Sequence, residues 1–331
     1  MQPTARHRAF CLGLAILAGL ATAARGDEPS SGPALGEQRI VRLRAGLILT
    51  AVGGNCPRMK AMVPVPIDWP EQTVEIVERD VSPRIKKLGF RDYPGSGKML
   101  EIDVPGLLDG EEARAVLTFE VHRSALVAPG DTDGYTRPDA KKLKPAFRPW
   151  LKPGPGIPST DKQIKALAEE IAAGQRTDWQ QAQAIHDWIN QNIKYEFDEE
   201  FRGAAAALNN RHGDCEELTC LFISLCRAQG IPARTVWVPG HCYPEFYLQD
   251  ASGEGHWFPL EATSPGQFGG IADFRPILQK GDDFASPEKK GDRWRYLRGT
   301  LKGFPTPGAT GQPKLEVVLE IVPAGQQPQE E

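Results

Sequence analysis

Long apolar runs are scarce in this sequence of 331 residues, and no segment after residue 26 approaches the roughly 20 apolar residues that span a bilayer. An excess of positive charge is also missing, because 39 Lys and Arg stand against 43 Asp and Glu. The formal charge of −4 gives no electrostatic reason to expect a nucleic-acid partner. The remaining composition, 40% hydrophobic and 25% charged, is typical of a globular chain long enough for two domains.

The first 26 residues have the order of a secretory signal peptide. Arg6 and Arg8 give a basic start, residues 9–24 are uncharged and mostly apolar, and small residues suited to a signal peptidase occur at 21–23. Because the apolar run is shorter than a membrane span, we expect cleavage, no stable membrane insertion, and a secreted or periplasmic protein. Removal of three arginines, the third being Arg25, takes the formal charge from −4 to −7.

Short β-type runs separated by Gly, Pro and Asn fill residues 36–127. In the last of them every second residue from 115 to 121 is apolar, as a half-buried strand requires. This pattern predicts a small all-β sandwich domain. Residues 128–159 are rich in Pro and Gly and are predicted to be a linker, and residues 323–331 are predicted to be a polar tail.

A second domain is predicted at residues 160–322, beginning with three helices whose apolar residues recur at helical spacing. Each helix starts at a polar cap with a partner three residues later: Thr160 and Gln163, Thr177 and Gln180, and Asp214 and Glu217. After the third helix the periodicity is that of strands, and we expect residues 278–298 and 315–322 to complete the resulting sheet. Helices that lead into antiparallel strands indicate an α+β fold.

One cysteine after the signal peptide occupies a position with distinctive chemistry. Five cysteines remain in the mature chain, and an odd number in an exported protein leaves at least one thiol unpaired. Cys215 is predicted to begin the third helix, where the positive end of the helix dipole favours thiolate and free amides can hold an oxyanion. A structural role for a small residue is the alternative.

A base and a carboxylate are predicted to meet near this cysteine. His241 begins one predicted strand, and Glu261 ends the next. If the two strands pair antiparallel around the turn at 252–255, Glu261 lies close to His241 and can orient its imidazole. His256, in the middle of the second strand, is the competing base for Cys215.

A metal site is the rival chemistry for these cysteines and histidines. No Cys-x-x-Cys or His-Glu-x-x-His spacing occurs. On a helix Cys220 points about 140° away from Cys215, and Cys226 lies about 16 Å along the axis, so these thiols cannot share one zinc ion. We therefore predict neither a metal nor a cofactor. A disulfide between Cys220 and Cys242 stays open.

Four sequence blocks occur in order within residues 160–269. They read Gly213-Asp214-Cys215, Gly230-Ile231-Pro232-Ala233-Arg234, His241-x-Tyr243-x-Glu245 and Trp257-x-Pro259-x-Glu261-Ala262-Thr263. Together they resemble the bacterial transglutaminase-like superfamily. The resemblance implies a papain-like fold with Cys215 as nucleophile, His241 as general base and acid, and Glu261 as the orienting acid, where the family usually has Asp.

The resemblance also implies a reaction in which a thiolate attacks a carboxamide and forms a thioester. We expect an exported thiol-dependent amide or peptide hydrolase that acts on a peptide or protein substrate. Two alternatives stay open: a protein-glutamine transamidase that cross-links proteins with the same triad, and a catalytically inactive binding module. The sequence predicts no oligomeric state.

Overall fold

Strands dominate the N-terminal part of the chain, as the alternating apolar residues predict. The computed structural model describes residues 32–304 and 308–322, so the predicted signal peptide at 1–26 and tail at 323–331 lie outside the described residues. Six strands precede the first helix: β1 Ala34–Val52, β2 Met59–Val65, β3 Gln72–Val81, β4 Lys87–Tyr93, β5 Gly97–Val104 and β6 Glu112–Val127.

Helices and short strands make up the rest. The helices are α1 Lys162–Ala172, α2 Asp178–Asn192, α3 Ala204–Asn210 and α4 Cys215–Ala228, and the predicted linker contains a 3₁₀ helix at Pro145–Leu151. The later strands are β7 Lys194–Tyr195, β8 His212–Gly213, β9 Ala233–Val238, β10 His241–Gln249, β11 Gly255–Pro259, β12 Gln279–Lys280, β13 Phe284–Ala285, β14 Arg293–Trp294, β15 Thr300–Gly303 and β16 Gln312–Val322.

Side-chain caps set where the first two helices begin. Asp161 caps α1, and its carboxylate accepts a hydrogen bond from the N–H of Gln163 at 2.8 Å. The predicted cap at Thr160 is therefore wrong by one residue, because the neighbouring carboxylate satisfies the same free amide. Thr177 caps α2 as predicted, and its hydroxyl accepts from the N–H of Gln180 at 3.1 Å.

Two antiparallel sheets face each other in the N-terminal region. The four-stranded sheet has the order β16-β1-β6-β3, and the larger sheet has the order β11-β10-β9-β12-β5-β2-β15 with β4 beside β5. Their inner side chains form an apolar core that includes Leu43, Leu47, Ile102 and Phe119. The predicted α+β fold with an all-β N-terminal region is confirmed.

The larger sheet also joins the two predicted domains. Gln279 of β12 pairs with Trp237 of β9 on one side and with Gly97 of β5 on the other. Strands from both sides of the predicted linker are therefore hydrogen-bonded in one sheet. This continuity fixes the orientation of β9 and β10 relative to the sandwich.

The C-terminal strand lies in a different sheet from the one predicted. β16 pairs with β1, with Leu47 opposite Val317, so the expectation that residues 315–322 complete the sheet of the second domain is wrong. The reason is that the long strand β1 pairs with β6 along one edge and leaves the other edge open for β16. Local alternation identifies a strand, but it does not identify the partner of that strand.

Helix α4 is the central element of the second core. It packs against the other three helices on one side and against β10 on the other. The buried cluster around it includes Trp179, Leu221, Phe222, Phe246 and Phe258. Because β10 lies directly against α4, the first turn of the helix and the start of the strand are held in fixed positions. Among the described residues, no helix has both the length and the apolar character needed to cross a membrane.

Candidate active site

Cys215 is the first residue of α4, as the sequence predicts. Asp214 caps the helix, and its carboxylate accepts from the N–H groups of Glu216, at 2.7 Å, and Glu217. Glu217 in turn accepts from the N–H of Asp214 at 3.2 Å, which completes the predicted capping box. This reciprocal cap fixes the first turn of α4 and holds Cys215, which is partly exposed, at the positive end of the helix dipole.

The β10–β11 hairpin brings the base and the acid together. β10 and β11 are antiparallel, with Glu245 opposite Pro259, and the predicted turn joins them. Just after β11 the N–H of Leu260 donates to the carbonyl of Pro244 at 3.1 Å. The chain therefore reaches residue 261 beside the start of β10, where His241 is the first residue.

The side chains of all three predicted triad residues meet at this point. Nε2 of His241 lies 2.9 Å from Oε2 of Glu261, and the imidazole is also hydrogen-bonded to Cys215. The second oxygen of Glu261 accepts from the N–H and the hydroxyl of Thr263 at 3.0 and 2.7 Å. Because Nε2 faces the carboxylate, Nδ1 is the ring nitrogen that serves Cys215.

These contacts shift the protonation of the site. A hydrogen bond from the Cys242 thiol, which acts against burial and together with His241, lowers the pKa of Cys215 to about 4. Burial disfavours the charged imidazole, but hydrogen bonds with Cys215 and Glu261 raise the pKa of His241 to about 9. Burial likewise opposes the Glu261 carboxylate, while bonds from His241 and Thr263 keep its pKa below the ordinary value. A thiolate and an imidazolium therefore coexist near neutral pH.

Cys242 is a site residue that the sequence reasoning missed. Strand alternation placed its side chain on the face opposite His241. In the structure its buried thiol lies 3.8 Å from the hydroxyl of Thr219 on α4 and hydrogen-bonds to Cys215. Thr219 is four residues after Cys215 and shares its helix face. That spacing, together with a cysteine next to the predicted base, is the signal that the sequence contains.

The other cysteines differ chemically from Cys215. All five cysteines in the described part of the chain are free thiols, so the disulfide left open between Cys220 and Cys242 is not formed. Burial raises the pKa of Cys220, of Cys226 and of Cys242 above that of an ordinary cysteine. Thiolate character is therefore concentrated on Cys215.

The competing histidine is placed at the other end of the hairpin. His256 pairs with Leu248, and its Nε2 lies 3.0 Å from a carboxylate oxygen of Asp250. Within the described ranges, Asp250, Glu254 and His256 form a group of possible metal ligands whose donor atoms lie within 4.8 Å of one another. The structure therefore separates this group from the start of β10, where His241 meets Cys215.

Two surfaces border the site. Tyr195 is half exposed, and burial together with the charges of Cys215, Asp214 and Glu261 raises its pKa, so its phenol stays protonated near neutral pH. On the other side, an open cleft of about 470 Å³ reaches Glu261. Its walls come from the sandwich and from the loop after β11, and they include Arg39, Ile321, Phe274 and Arg275.

The chain is similar to three known proteins. A 133-residue alignment with an uncharacterized protein of Haemophilus influenzae is 24% identical and covers 38% of this chain and 35% of that protein, so the match spans about a third of the relative. The crystal structure of a candidate cysteine protease from Cytophaga hutchinsonii gives a TM-score of 0.59 at 18% identity, over 89% of this chain and 95% of that chain. A candidate protease from Parabacteroides distasonis gives a TM-score of 0.26 at 13% identity, over 70% and 49% of the two chains, which is too low to support a conclusion.

The family match covers the region that contains the site. At 18% identity the Cytophaga structure shows a shared fold and nothing about activity. Residues 165–262, which include Cys215, His241 and Glu261, match the transglutaminase-like superfamily as a sequence family. The chain therefore belongs, through this region, to the transglutaminase-like superfamily.

Proposed function

We propose that this chain is an exported thiol-dependent amide or peptide hydrolase. In it, Cys215 is the nucleophile, His241 is the general acid and base, and Glu261 orients His241. The observation that carries the proposal is the continuous contact from Cys215 through His241 to Glu261, with 2.9 Å between the imidazole and the carboxylate. The shared fold with the Cytophaga protein and the superfamily match support a papain-like thiol enzyme.

The first half of the reaction forms a thioester. The Cys215 thiolate attacks the carbonyl carbon of the substrate amide, and the negative charge moves to the carbonyl oxygen. We place this oxyanion at the N–H of Cys215, because the Asp214 carboxylate accepts from the next two amides of the helix. The His241 imidazolium then gives its proton to the leaving nitrogen, the carbon–nitrogen bond breaks, and a neutral amine departs.

The second half restores the enzyme. Neutral His241 takes a proton from water as the water oxygen attacks the thioester carbon, and collapse of the intermediate releases a carboxylic acid and the Cys215 thiolate. Glu261 stays ionised throughout and stabilises the imidazolium. If an amine takes the place of water in this step, the product is a new amide and the enzyme is a transamidase.

Export is part of the proposal, since it depends on residues 1–26. Expression of the full chain in a Gram-negative host, followed by cell fractionation and mass measurement of the N-terminal peptide, tests it. We expect a mature N-terminus after residue 23 or 26 in the extracytoplasmic fraction. Recovery of uncleaved protein from the cytoplasm contradicts export and leaves the chemistry of the site to the next experiment.

The pH dependence of Cys215 alkylation by iodoacetamide tests the nucleophile and base. Peptide mass spectrometry follows Cys215 in the wild type and in His241→Ala, with the buried Cys220 and Cys226 as internal controls. We expect wild-type labelling to follow a pKa of about 4 and the variant to move towards the ordinary value of about 8.5. Identical profiles in the two proteins exclude a Cys215–His241 couple.

Product analysis then identifies the reaction. Denatured casein is incubated with wild-type enzyme and with Cys215→Ser in ¹⁸O-labelled water, with and without a fluorescent primary amine. Incorporation of ¹⁸O at new carboxyl groups supports hydrolysis, whereas incorporation of the amine identifies a transamidase. A couple that alkylates as expected but yields neither product from casein, other proteins or model amides contradicts the enzymatic proposal and identifies a binding module.

A further inference from the structure

The backbone of Glu261 is held as firmly as its carboxylate. Its N–H donates to the carbonyl of Gln267 at 2.9 Å, and its own carbonyl lies 3.0 Å from Nε2 of His186. A carbonyl only accepts, so Nε2 of His186 carries the proton and donates it. The peptide groups on both sides of residue 261 are therefore anchored to other parts of the fold.

His186 reaches this carbonyl from the core of the protein. It lies on α2, its side chain is buried, and its ring packs on Phe268 with ring centroids 5.5 Å apart. Its second nitrogen, Nδ1, makes no hydrogen bond and lies 3.4 Å from a carboxylate oxygen of Asp187. Burial of an imidazole with one nitrogen unsatisfied is costly, and the bond to Glu261 is the contact that this cost maintains.

The geometry of a glutamate triad explains why this anchor matters. A glutamate side chain has one more rotatable bond than an aspartate, so its carboxylate can occupy more positions relative to the backbone. Thr263 holds Oε1, at 2.7 Å from its hydroxyl, and leaves Oε2 for His241. With the carbonyl of Glu261 fixed by His186, the longer side chain has one productive arrangement.

We propose that His186 is a positioning residue that fixes the backbone of Glu261 and thereby holds its carboxylate against the catalytic imidazole of His241. The proposal rests on the proposed function for its catalytic consequence, but its structural part is independent of turnover. The groups that face His241 are Cys215 and Glu261. A displaced Glu261 therefore alters the protonation of His241 directly.

The test compares three variants by NMR titration of His241. His186→Phe keeps a ring against Phe268 and removes the donor, whereas His186→Gln keeps an amide donor. Ile189→Ala is the control, because it truncates a buried side chain of the same helix without touching Glu261. If His186→Phe does not fold, His186→Leu replaces it.

We expect the His241 titration midpoint to be about 9 in the wild type and in Ile189→Ala. It should fall by about 1 pH unit in His186→Phe and return most of the way in His186→Gln. In the active enzyme, kcat in His186→Phe should drop about tenfold or more with KM little changed, since catalytic groups misplaced by a fraction of an ångström lose rate.

The outcomes separate this proposal from the proposed function. An unchanged His241 midpoint in the donor-free variant overturns the positioning role, whatever the activity. An equal shift in Ile189→Ala assigns the effect to general loosening of the core and also overturns it. If the midpoint moves as expected in a protein that hydrolyses no amide, His186 keeps its positioning role and the hydrolase proposal fails.

Discussion

At the scale of single residues, Cys242 distinguishes Cys215 from an ordinary thiol at a helix N-terminus. Its thiol is fully buried, and its hydrogen bond is the largest influence that favours the Cys215 thiolate. Thr219 accepts from the same sulfur at 3.8 Å and holds it between α4 and β10. The nucleophile is therefore activated by a neighbour on the adjacent strand as well as by His241.

Replacement of this neighbour should make the nucleophile less acidic. In Cys242→Ala the donated hydrogen bond is lost, so we expect the alkylation midpoint of Cys215 to rise by about 1 pH unit or more. Cys226→Ala, which removes a buried thiol elsewhere on α4, should leave the midpoint unchanged. Iodoacetamide labelling followed by peptide mass spectrometry measures both, and equal midpoints in the two variants contradict a role for Cys242.

The ion pair predicts a bell-shaped dependence of kcat/KM on pH. Below about pH 4 the Cys215 thiolate gains a proton, and above about pH 9 the His241 imidazolium loses one, so the active pair exists between these values. In Glu261→Gln the negative charge that favours imidazolium is lost, so the alkaline limb should move to lower pH and kcat should fall about 100-fold. A wild-type profile that rises through pH 8–9 instead contradicts the ion pair.

At the scale of elements, the start of α4 has two roles. The capping box of Asp214 and Glu217 satisfies free amides of the first turn, and the same turn presents Cys215. Arg295 extends this anchoring through its ion pair with Glu216, with its guanidinium 4.0 Å from the ring of Phe201. Helix stability and nucleophile position therefore depend on the same few contacts.

Loss of this cap should cost stability and also disturb the site. We expect Asp214→Ala to lower the free energy of unfolding by about 1–2 kcal/mol, measured by urea denaturation. Asp161→Ala, which removes the cap of α1, should cost about 1 kcal/mol and leave the alkylation profile of Cys215 unchanged. If both variants alter that profile equally, the first turn of α4 has no special connection to the thiolate.

At the scale of the whole molecule, buried charges join the sandwich to the sheet that bears His241. Lys280 of β12 lies 2.7 Å from the carboxylate of Glu71, in the sandwich region, and 3.0 Å from that of Glu245 on β10. Arg234 of β9 pairs with the same Glu245. All four side chains are nearly or fully buried. The two predicted domains therefore share charge compensation as well as a sheet.

Removal of the central cation should destabilise the whole described fold. Lys280→Met leaves Glu71 and Glu245 buried with less compensation, and we expect a loss of about 3–5 kcal/mol in the free energy of unfolding. Lys302→Met, at an exposed position of β15, should change stability by less than about 0.5 kcal/mol. Calorimetry should show one shifted transition for Lys280→Met, and two separate transitions would contradict the coupling between the regions.

Local chemistry made much of this protein predictable. Helix caps, apolar periodicity and turn residues act over a few positions, so they predict α2, the capping box of α4 and the β10–β11 hairpin. The same local signals suggested Cys215, His241 and Glu261 as partners, since antiparallel pairing brings the ends of a hairpin together. The structure places these three side chains in contact, and their catalytic roles remain predictions.

Tertiary structure decided what depends on packing between distant segments. The pairing of β16 with β1, the insertion of β12 between β9 and β5, and the approach of Cys242 to Cys215 across α4 and β10 have no local sequence signal. The bond from His186 to the carbonyl of Glu261 joins residues 75 positions apart. Such contacts depend on which strand edge is open and which helix face is turned towards the sheet, and only the folded chain determines both.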